Sequence, residues 1–176
     1  MTEEQERLIN ALKYAVQMEI DGKAFYTAVS QRIATRLGRE LYTWLAAQED
    51  IHRARFQAIY KAAVEKQGWP VEAVKPADIP RLGTLFGQAI REMGTSFKVD
   101  KGDIADADKG IELEIKSRDY YREQAGKSGG PVEKEFFTRI SAEEQGHYLA
   151  LIDYKEYLED PVGWFTRTEH HLLDGI

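Results

Sequence analysis

The feature that most constrains the fold is a pattern of glutamate and histidine that occurs twice with one spacing. Glu49 precedes His52 by three residues, and 95 positions further on Glu144 precedes His147 by the same interval. Residues three apart lie on one face of an α-helix. Leucine, isoleucine and aromatic residues recur on that same face in both segments. The pattern predicts two helices that each turn a carboxylate and an imidazole towards the core.

A matching element precedes each of these motifs. Glu19 is followed seven residues later by Tyr26, and Glu114 is followed at the same interval by Tyr121. These two pairs are also separated by 95 positions. Each half of the chain therefore contributes one Glu and, 30 residues later, a Glu-x-x-His motif. This repeat predicts a duplicated helical hairpin.

Apolar periodicity predicts four long helices, and no alternating pattern of useful length competes with it. A Thr-x-x-Gln capping box opens the first helix, and Pro131 is well placed to open the last. Asp103 or Asp106 is the expected N-cap of the third helix, which ends near the glycines of "GKSGG". The other expected helices cover about residues 3–31, 39–67 and 131–159.

Residues 68–102 hold three of the five prolines and form a long connection, with one short helix expected around 82–93. Tight links make antiparallel neighbours, and one long crossover defines the ferritin-like variant of the four-helix bundle. The predicted fold class is therefore all-α, a ferritin-like antiparallel four-helix bundle of two hairpins. We expect one domain over 1–160 and a short C-terminal tail over 161–176.

Composition excludes several classes of protein. The 24 basic and 30 acidic residues give a net charge of −6, and no basic cluster indicates nucleic-acid binding. The longest apolar runs are shorter than the ~18 residues of a membrane span, and the charged N-terminal segment lacks the apolar stretch of a signal peptide. We therefore expect a cytoplasmic protein that binds neither nucleic acid nor membrane. Without cysteine, the chain has no disulfide, cysteine nucleophile or cysteine-ligated iron.

A single Glu-x-x-His is weak evidence, because it is usually an ion pair on a helix surface. Here both motifs fall on apolar faces and share one offset with two further glutamates. Four ionised carboxylates in an apolar core need counter-charge, and two divalent cations supply it. Carboxylates with one imidazole per metal suit iron or manganese, and less selectively zinc or cobalt. The same ligand count is found in di-iron helical bundles.

These motifs resemble those of the rubrerythrin branch of the ferritin-like di-iron carboxylate proteins, over essentially the four helices. The resemblance implies two iron ions, with manganese or zinc as alternatives. Glu49 and Glu144 are the implied bridges, and each remaining Glu completes one metal position with the His of its own half. The implied ligands are Glu19, Glu49, His52, Glu114, Glu144 and His147.

The resemblance also assigns other residues. Tyr26 and Tyr121 resemble tyrosines that hydrogen-bond to ligand carboxylates, with core-filling aromatics as the alternative. Typical rubrerythrins carry an extra Glu one turn after the third-helix ligand, where this chain has Ser117, so the site is more similar to the symmetric centre of bacterioferritin. Glu112 and Glu143 are either additional ligands or charges at the rim.

The leading functional hypothesis is a peroxidase or oxidase with a role in oxidative stress, which reduces hydrogen peroxide or dioxygen. Full-length rubrerythrins carry a rubredoxin domain with four cysteines, so this chain needs an external electron donor such as a rubredoxin-type carrier. The alternatives are a ferroxidase for iron storage, of the bacterioferritin type, and a non-catalytic metal-binding module. We expect a homodimer, in which the tail with His170 and His171 packs or forms a dimer contact.

Overall fold

The computed structural model describes residues 2–65, 67–70, 100–164 and 166–167. Within these residues the chain forms four long α-helices and no strand, which confirms the all-α prediction. The short helix expected around 82–93 lies outside the described residues, as do His170 and His171. The four helices are α1 (Glu3–Arg32), α2 (Arg36–Val64), α3 (Lys101–Lys127) and α4 (Pro131–Glu159).

The helix starts follow local capping chemistry. Thr2 forms the expected capping box with Gln5 at the start of α1. The helix α2 begins at Arg36, earlier than predicted, because the Thr35 side chain accepts a hydrogen bond from the Gly38 amide at 3.2 Å. The prediction for α3 was wrong, since Asp100 is the N-cap and accepts from the Gly102 amide. Pro131 opens α4 as predicted.

The helices pack as two hairpins. Helix α1 packs along α2, and α3 packs along α4, whereas contacts between the two hairpins are fewer. This arrangement is the one expected from the short connections within each half. No helix in the described part of the chain is long and apolar enough to cross a membrane.

Two hydrophobic clusters fill the bundle. Each helix carries residues of both clusters, and between them on each helix lies one of the repeated Glu or Glu-x-x-His motifs. The polar motifs therefore sit at one level of the bundle, with apolar packing on either side. The first, the Tyr42 cluster, includes Val29, Leu37, Tyr42, Ala107 and Leu151. The second, the Phe56 cluster, includes Leu12, Phe56, Ala125, Phe137 and Ile140.

The described start of the tail packs on the last helix. Residues 161–164 are helical, and the Trp164 ring lies 5.6 Å from that of Tyr157 in an edge-to-face contact. The indole N–H of Trp164 donates to Asp153 at 2.7 Å. The division between domain and tail at residue 160 stays a prediction.

Candidate metal centre

All four helices contribute to one buried group of carboxylates and imidazoles. The six side chains that the repeat singled out are each at most 5% exposed. Their potential ligand atoms fall into two sets, and within each set these atoms all lie within 4.8 Å of one another. One set comprises Glu49, Glu114, Glu144 and His147, and the other comprises Glu19, His52 and Glu144.

Glu144 belongs to both sets and lies between the two imidazoles. Its Oε1 lies 3.0 Å from Nδ1 of His52, and its Oε2 lies 3.0 Å from Nδ1 of His147. The two rings are nearly parallel, with their centroids 5.4 Å apart. One carboxylate therefore faces the same nitrogen of both histidines, which is the geometry a bridging ligand needs.

The remaining carboxylates flank this central group. Glu19 Oε2 lies 3.5 Å from Nδ1 of His52, and Glu114 Oε2 lies 3.4 Å from Nδ1 of His147. Each of these glutamates thus approaches the histidine of its own half, as the resemblance implies. Glu49 Oε1 lies 4.0 Å from Nδ1 of His147.

Tyrosine hydroxyls orient two of these carboxylates. Tyr121 donates to Oε1 of Glu19, and Tyr26 donates to Oε1 of Glu114. Each bond crosses between the two hairpins. In both glutamates the bonded oxygen is Oε1, so Oε2 is the oxygen that faces the imidazole. The hydrogen bonds expected of these tyrosines are therefore present.

Four of the atoms that face inward lack hydrogen-bond partners among the described residues. They are Oε2 of Glu19, Nδ1 of His52, Oε2 of Glu114 and Oε1 of Glu144. Buried polar atoms are nearly always paired, so four such atoms at one place require an explanation. Divalent cations would satisfy them together, and carboxylate oxygen with imidazole nitrogen is a donor set suited to iron or manganese. The residues present therefore fit a di-metal site.

The pKa values of the cluster show that its buried carboxylates do not all favour the ionised form. Burial and the neighbouring Glu144 raise the pKa of Glu114 to about 8. Burial and the charges of Glu19 and Glu144 raise the pKa of Glu49 well above its usual value. Burial opposes the charged form of His147, but Glu114 and Glu144 together raise its pKa to about 9. Without metal, the cluster thus holds protons near neutral pH where cations would otherwise bind.

Glu144 differs from the other buried carboxylates. Burial acts to raise its pKa, but the adjacent His52 and His147 lower it below the usual value. Glu144 is thus the ionised carboxylate at the centre of the cluster, and its two oxygens each lie 3.0 Å from one imidazole.

Gly22 makes room for one of the carboxylates. A Cβ atom at this position would lie 2.7 Å from Oε2 of Glu49, closer than any ordinary contact. The counterpart of Gly22 in the second half is Ser117, 95 positions later. Both residues line a cleft of about 70 Å³ that reaches Glu49 and Glu114. The absence of a side chain at Gly22 therefore leaves room for the Glu49 carboxylate and for a small space beside it.

Two further acidic residues, Glu112 and Glu143, were expected to be either additional ligands or rim charges. Glu112 has a side chain that is 68% exposed and pairs with Lys109, so it is a surface charge. Glu143 instead lies behind the cluster, where its Oε2 is 2.9 Å from Nε2 of His52 and accepts from Arg55 at 2.9 Å. Arg55 was not among the predicted site residues, although its position one turn after His52 was a signal that could have revealed it.

The four-helix bundle and the buried cluster fit the class of ferritin-like proteins with a di-iron carboxylate site. The family model described as rubrerythrin matches residues 10–79, a stretch that contains Glu19, Tyr26, Glu49 and His52. The predicted resemblance to rubrerythrins is thereby confirmed over this stretch. No match was found among curated proteins or among solved structures.

Proposed function

We propose that this protein is a di-iron carboxylate oxidoreductase that reduces hydrogen peroxide, or dioxygen, with electrons from an external donor. The observation that carries the proposal is the buried cluster of four glutamates and two histidines, in which four inward-facing atoms lack hydrogen-bond partners among the described residues. The rubrerythrin match over part of the chain supports the same class of chemistry.

In this proposal Glu144 and Glu49 would each serve both metal positions. Glu19 and His52 complete one position, and Glu114 and His147 complete the other. A pair of iron ions would supply two electrons together to the oxygen–oxygen bond of the oxidant. The cytoplasmic location and the homodimer are further parts of the proposal.

The shape of the site favours a small oxidant. The cleft beside Glu49 and Glu114 measures about 70 Å³, whereas one water molecule occupies roughly 30 Å³ in the liquid. A molecule of two heavy atoms fits such a space. Hydrogen peroxide and dioxygen both meet this limit.

The tyrosines have a positioning role in this mechanism. Burial, together with nearby carboxylates, raises the pKa of Tyr26 and of Tyr121 well above the usual value, so both phenols keep their protons. A protonated phenol donates to one carboxylate oxygen and leaves the other oxygen directed inward. Tyr26 therefore holds Glu114, and Tyr121 holds Glu19, in an orientation suited to a ligand.

The supply of electrons is external in this proposal, because a chain without cysteine has no rubredoxin-type iron site of its own. Protein loaded with ferrous iron under anaerobic conditions should therefore consume about one peroxide per metal pair and stop. Adding a reduced rubredoxin-type carrier should restore turnover. Sustained turnover without a donor would contradict the proposal, and no reaction even with a donor would favour a non-catalytic metal-binding module.

A matched pair of variants on α3 links this activity to the cluster. Glu114→Gln replaces a buried ligand by a neutral side chain of the same shape and should abolish the peroxide burst. Glu112→Gln makes the same change at an exposed position two residues away and should leave the burst intact. Equal bursts from the two variants would exclude the cluster as the reacting site.

A ferroxidase for iron storage is the second candidate. It is favoured by the equal ligand sets of the two halves and by Ser117 at the position where typical rubrerythrins carry an extra Glu. Storage requires a closed shell that holds oxidised iron. Size-exclusion chromatography distinguishes the two candidates, since a dimer supports the peroxidase and a 24-subunit assembly supports the ferroxidase.

A further inference from the structure

The two imidazoles of the cluster have different partners on their outer sides. Nε2 of His52 lies 2.9 Å from Oε2 of Glu143, and the same oxygen accepts a hydrogen bond from Arg55 at 2.9 Å. The position that matches Glu143 in the first half is Gln48, 95 residues earlier. Gln48 is buried, but its Oε1 has no hydrogen-bond partner among the described residues, so it does not hold His147 as Glu143 holds His52.

The contact with Glu143 determines which nitrogen of His52 is free. An ionised carboxylate only accepts hydrogen bonds, so Nε2 of His52 must carry a proton. In the neutral ring the lone pair is then on Nδ1, which faces Glu19 and Glu144. Arg55 keeps Glu143 ionised and in place, because its guanidinium donates to the same oxygen. An amide such as that of Gln48 can donate as well as accept, and it selects neither tautomer.

The surroundings of His147 differ in a second respect. Its ring meets the edge of Trp44, with centroids 5.3 Å apart, and the residue that matches Arg55 in the second half is Ala150. Among the described residues, the half of the cluster around His147 thus lacks both the carboxylate and the cation that lie behind His52. Each half contributes one Glu and one Glu-x-x-His motif, and Glu49 groups with the His147 set and not with the His52 set. The groups behind the two histidines differ.

From this difference, and resting on the proposed di-metal function, we infer that Glu143 and Arg55 are positioning residues that make the two metal positions unequal. The position formed with His52 binds metal first and more tightly, and the position formed with His147 binds second. A carboxylate behind a ligating histidine fixes the tautomer and raises the basicity of the ring, and its loss typically weakens metal binding about 10–100-fold. The gap between the two binding steps should be of that size.

The test is a titration of metal-free protein with Co²⁺, whose visible absorption reports its coordination, alongside calorimetry. Wild-type protein should show two steps separated by about 10–100-fold. Crystals grown with one equivalent of Co²⁺ should show anomalous density mainly beside His52. Two steps of equal affinity, or first occupancy beside His147, would overturn the inference while leaving the metal site itself intact.

Variants with matched charge sharpen the test. Glu143→Gln gives the second half the residue type of Gln48 and should weaken the first step about 10–100-fold, so that the two affinities converge. Glu135→Gln removes the same charge at an exposed position of α4 and should change neither step. If Glu143→Gln weakened both steps equally or neither, the inference would be wrong.

A spectroscopic measurement separates positioning from a loss of folding. In zinc-loaded, ¹⁵N-labelled protein, the Nε2 proton of His52 should appear as a slowly exchanging, hydrogen-bonded signal. Glu143→Gln should shift this signal and leave that of His147 in place. Joint displacement of both signals would indicate a structural change and count against a positioning role. Failure of wild-type protein to bind any metal would instead refute the proposed function.

Discussion

The hairpin of α1 and α2 and the hairpin of α3 and α4 supply the same ligands but embed them in different surroundings. Glu, Tyr, Glu and His recur at an offset of 95 in both. Around them, Gly22 is replaced by Ser117, Gln48 by Glu143, and Arg55 by Ala150. The comparison teaches that the two halves share their candidate ligand residues, whereas the residues behind those ligands differ and make the halves unequal.

The largest effect should come from the one carboxylate that faces both histidines. Glu144→Gln keeps the shape of the side chain but removes its charge, so both halves lose a ligand at once. Both metal-binding steps should weaken by more than about 100-fold. A loss of about 100-fold is the upper end of what is expected when a residue behind a ligand is removed. Isothermal titration calorimetry measures this, with the exposed Glu135→Gln as control. Loss of only one step would show that Glu144 serves a single half.

The second effect is the change of stability with pH, which should have opposite signs in the metal-free and the metal-loaded protein. The pKa is raised to about 8 at Glu114 and to about 9 at His147. The folded metal-free protein therefore keeps protons that the unfolded chain releases at lower pH. Metal-free stability should therefore fall as pH rises from about 5 to 9. The same protons compete with metal, so metal affinity should rise with pH below about pH 8.

Melting curves at pH 6, 7 and 8 check this prediction. Metal-free protein should melt at a lower temperature as pH rises, and metal-loaded protein at a higher one. Metal at a hundredfold excess over its Kd adds about 2.7 kcal/mol, or a shift of roughly 5–10 °C for a chain of this size. Identical pH trends in the two forms would exclude the coupling between metal and these protons.

A smaller effect tests whether the two tyrosines are equivalent. Tyr26→Phe and Tyr121→Phe each remove a hydrogen bond to a buried carboxylate, a bond worth about 1.5–3 kcal/mol when the acceptor is charged. Each change should weaken metal binding by roughly 10–100-fold, and by similar factors in the two halves. Stepwise titration of both variants measures the two losses. A much larger loss for one tyrosine would mean that the halves already differ at this bond.

The smallest effect concerns Gly22 and its counterpart. Gly22→Ala places a Cβ atom 2.7 Å from Oε2 of Glu49, so the carboxylate must move. Metal binding should weaken about 10-fold, the lower end of the range for groups that position ligands. Alanine also favours the helix by about 1 kcal/mol, so metal-free stability should not fall. Ser117→Ala should leave metal binding unchanged, and equal losses from both variants would refute the role assigned to Gly22.

The sequence predicted those parts of the molecule in which residue types recur at a regular spacing. Glu49 and His52 lie on an apolar face, and the repeated offset identified their partners from the order of the residues alone. Helix ends were less predictable, because competing caps such as Asp100 and Asp103 differ only in local geometry. The role of Glu143 could not be predicted, since its contact with His52 joins two residues that lie 91 positions apart in the chain and on different helices. Contacts of this kind depend on how helices are rotated against each other, which periodicity alone does not specify.

The uneven packing of the four helices has a consequence for the order in which the chain gains structure. Most contacts lie within a hairpin, between segments close in sequence, and such contacts form early in folding. The two hairpins must then meet across a long connection, at an entropic cost that local contacts do not recover. Ligands to each proposed metal come from both hairpins, as do both tyrosine–glutamate bonds. Bound metal would therefore join the two hairpins, and metal uptake would report their docking.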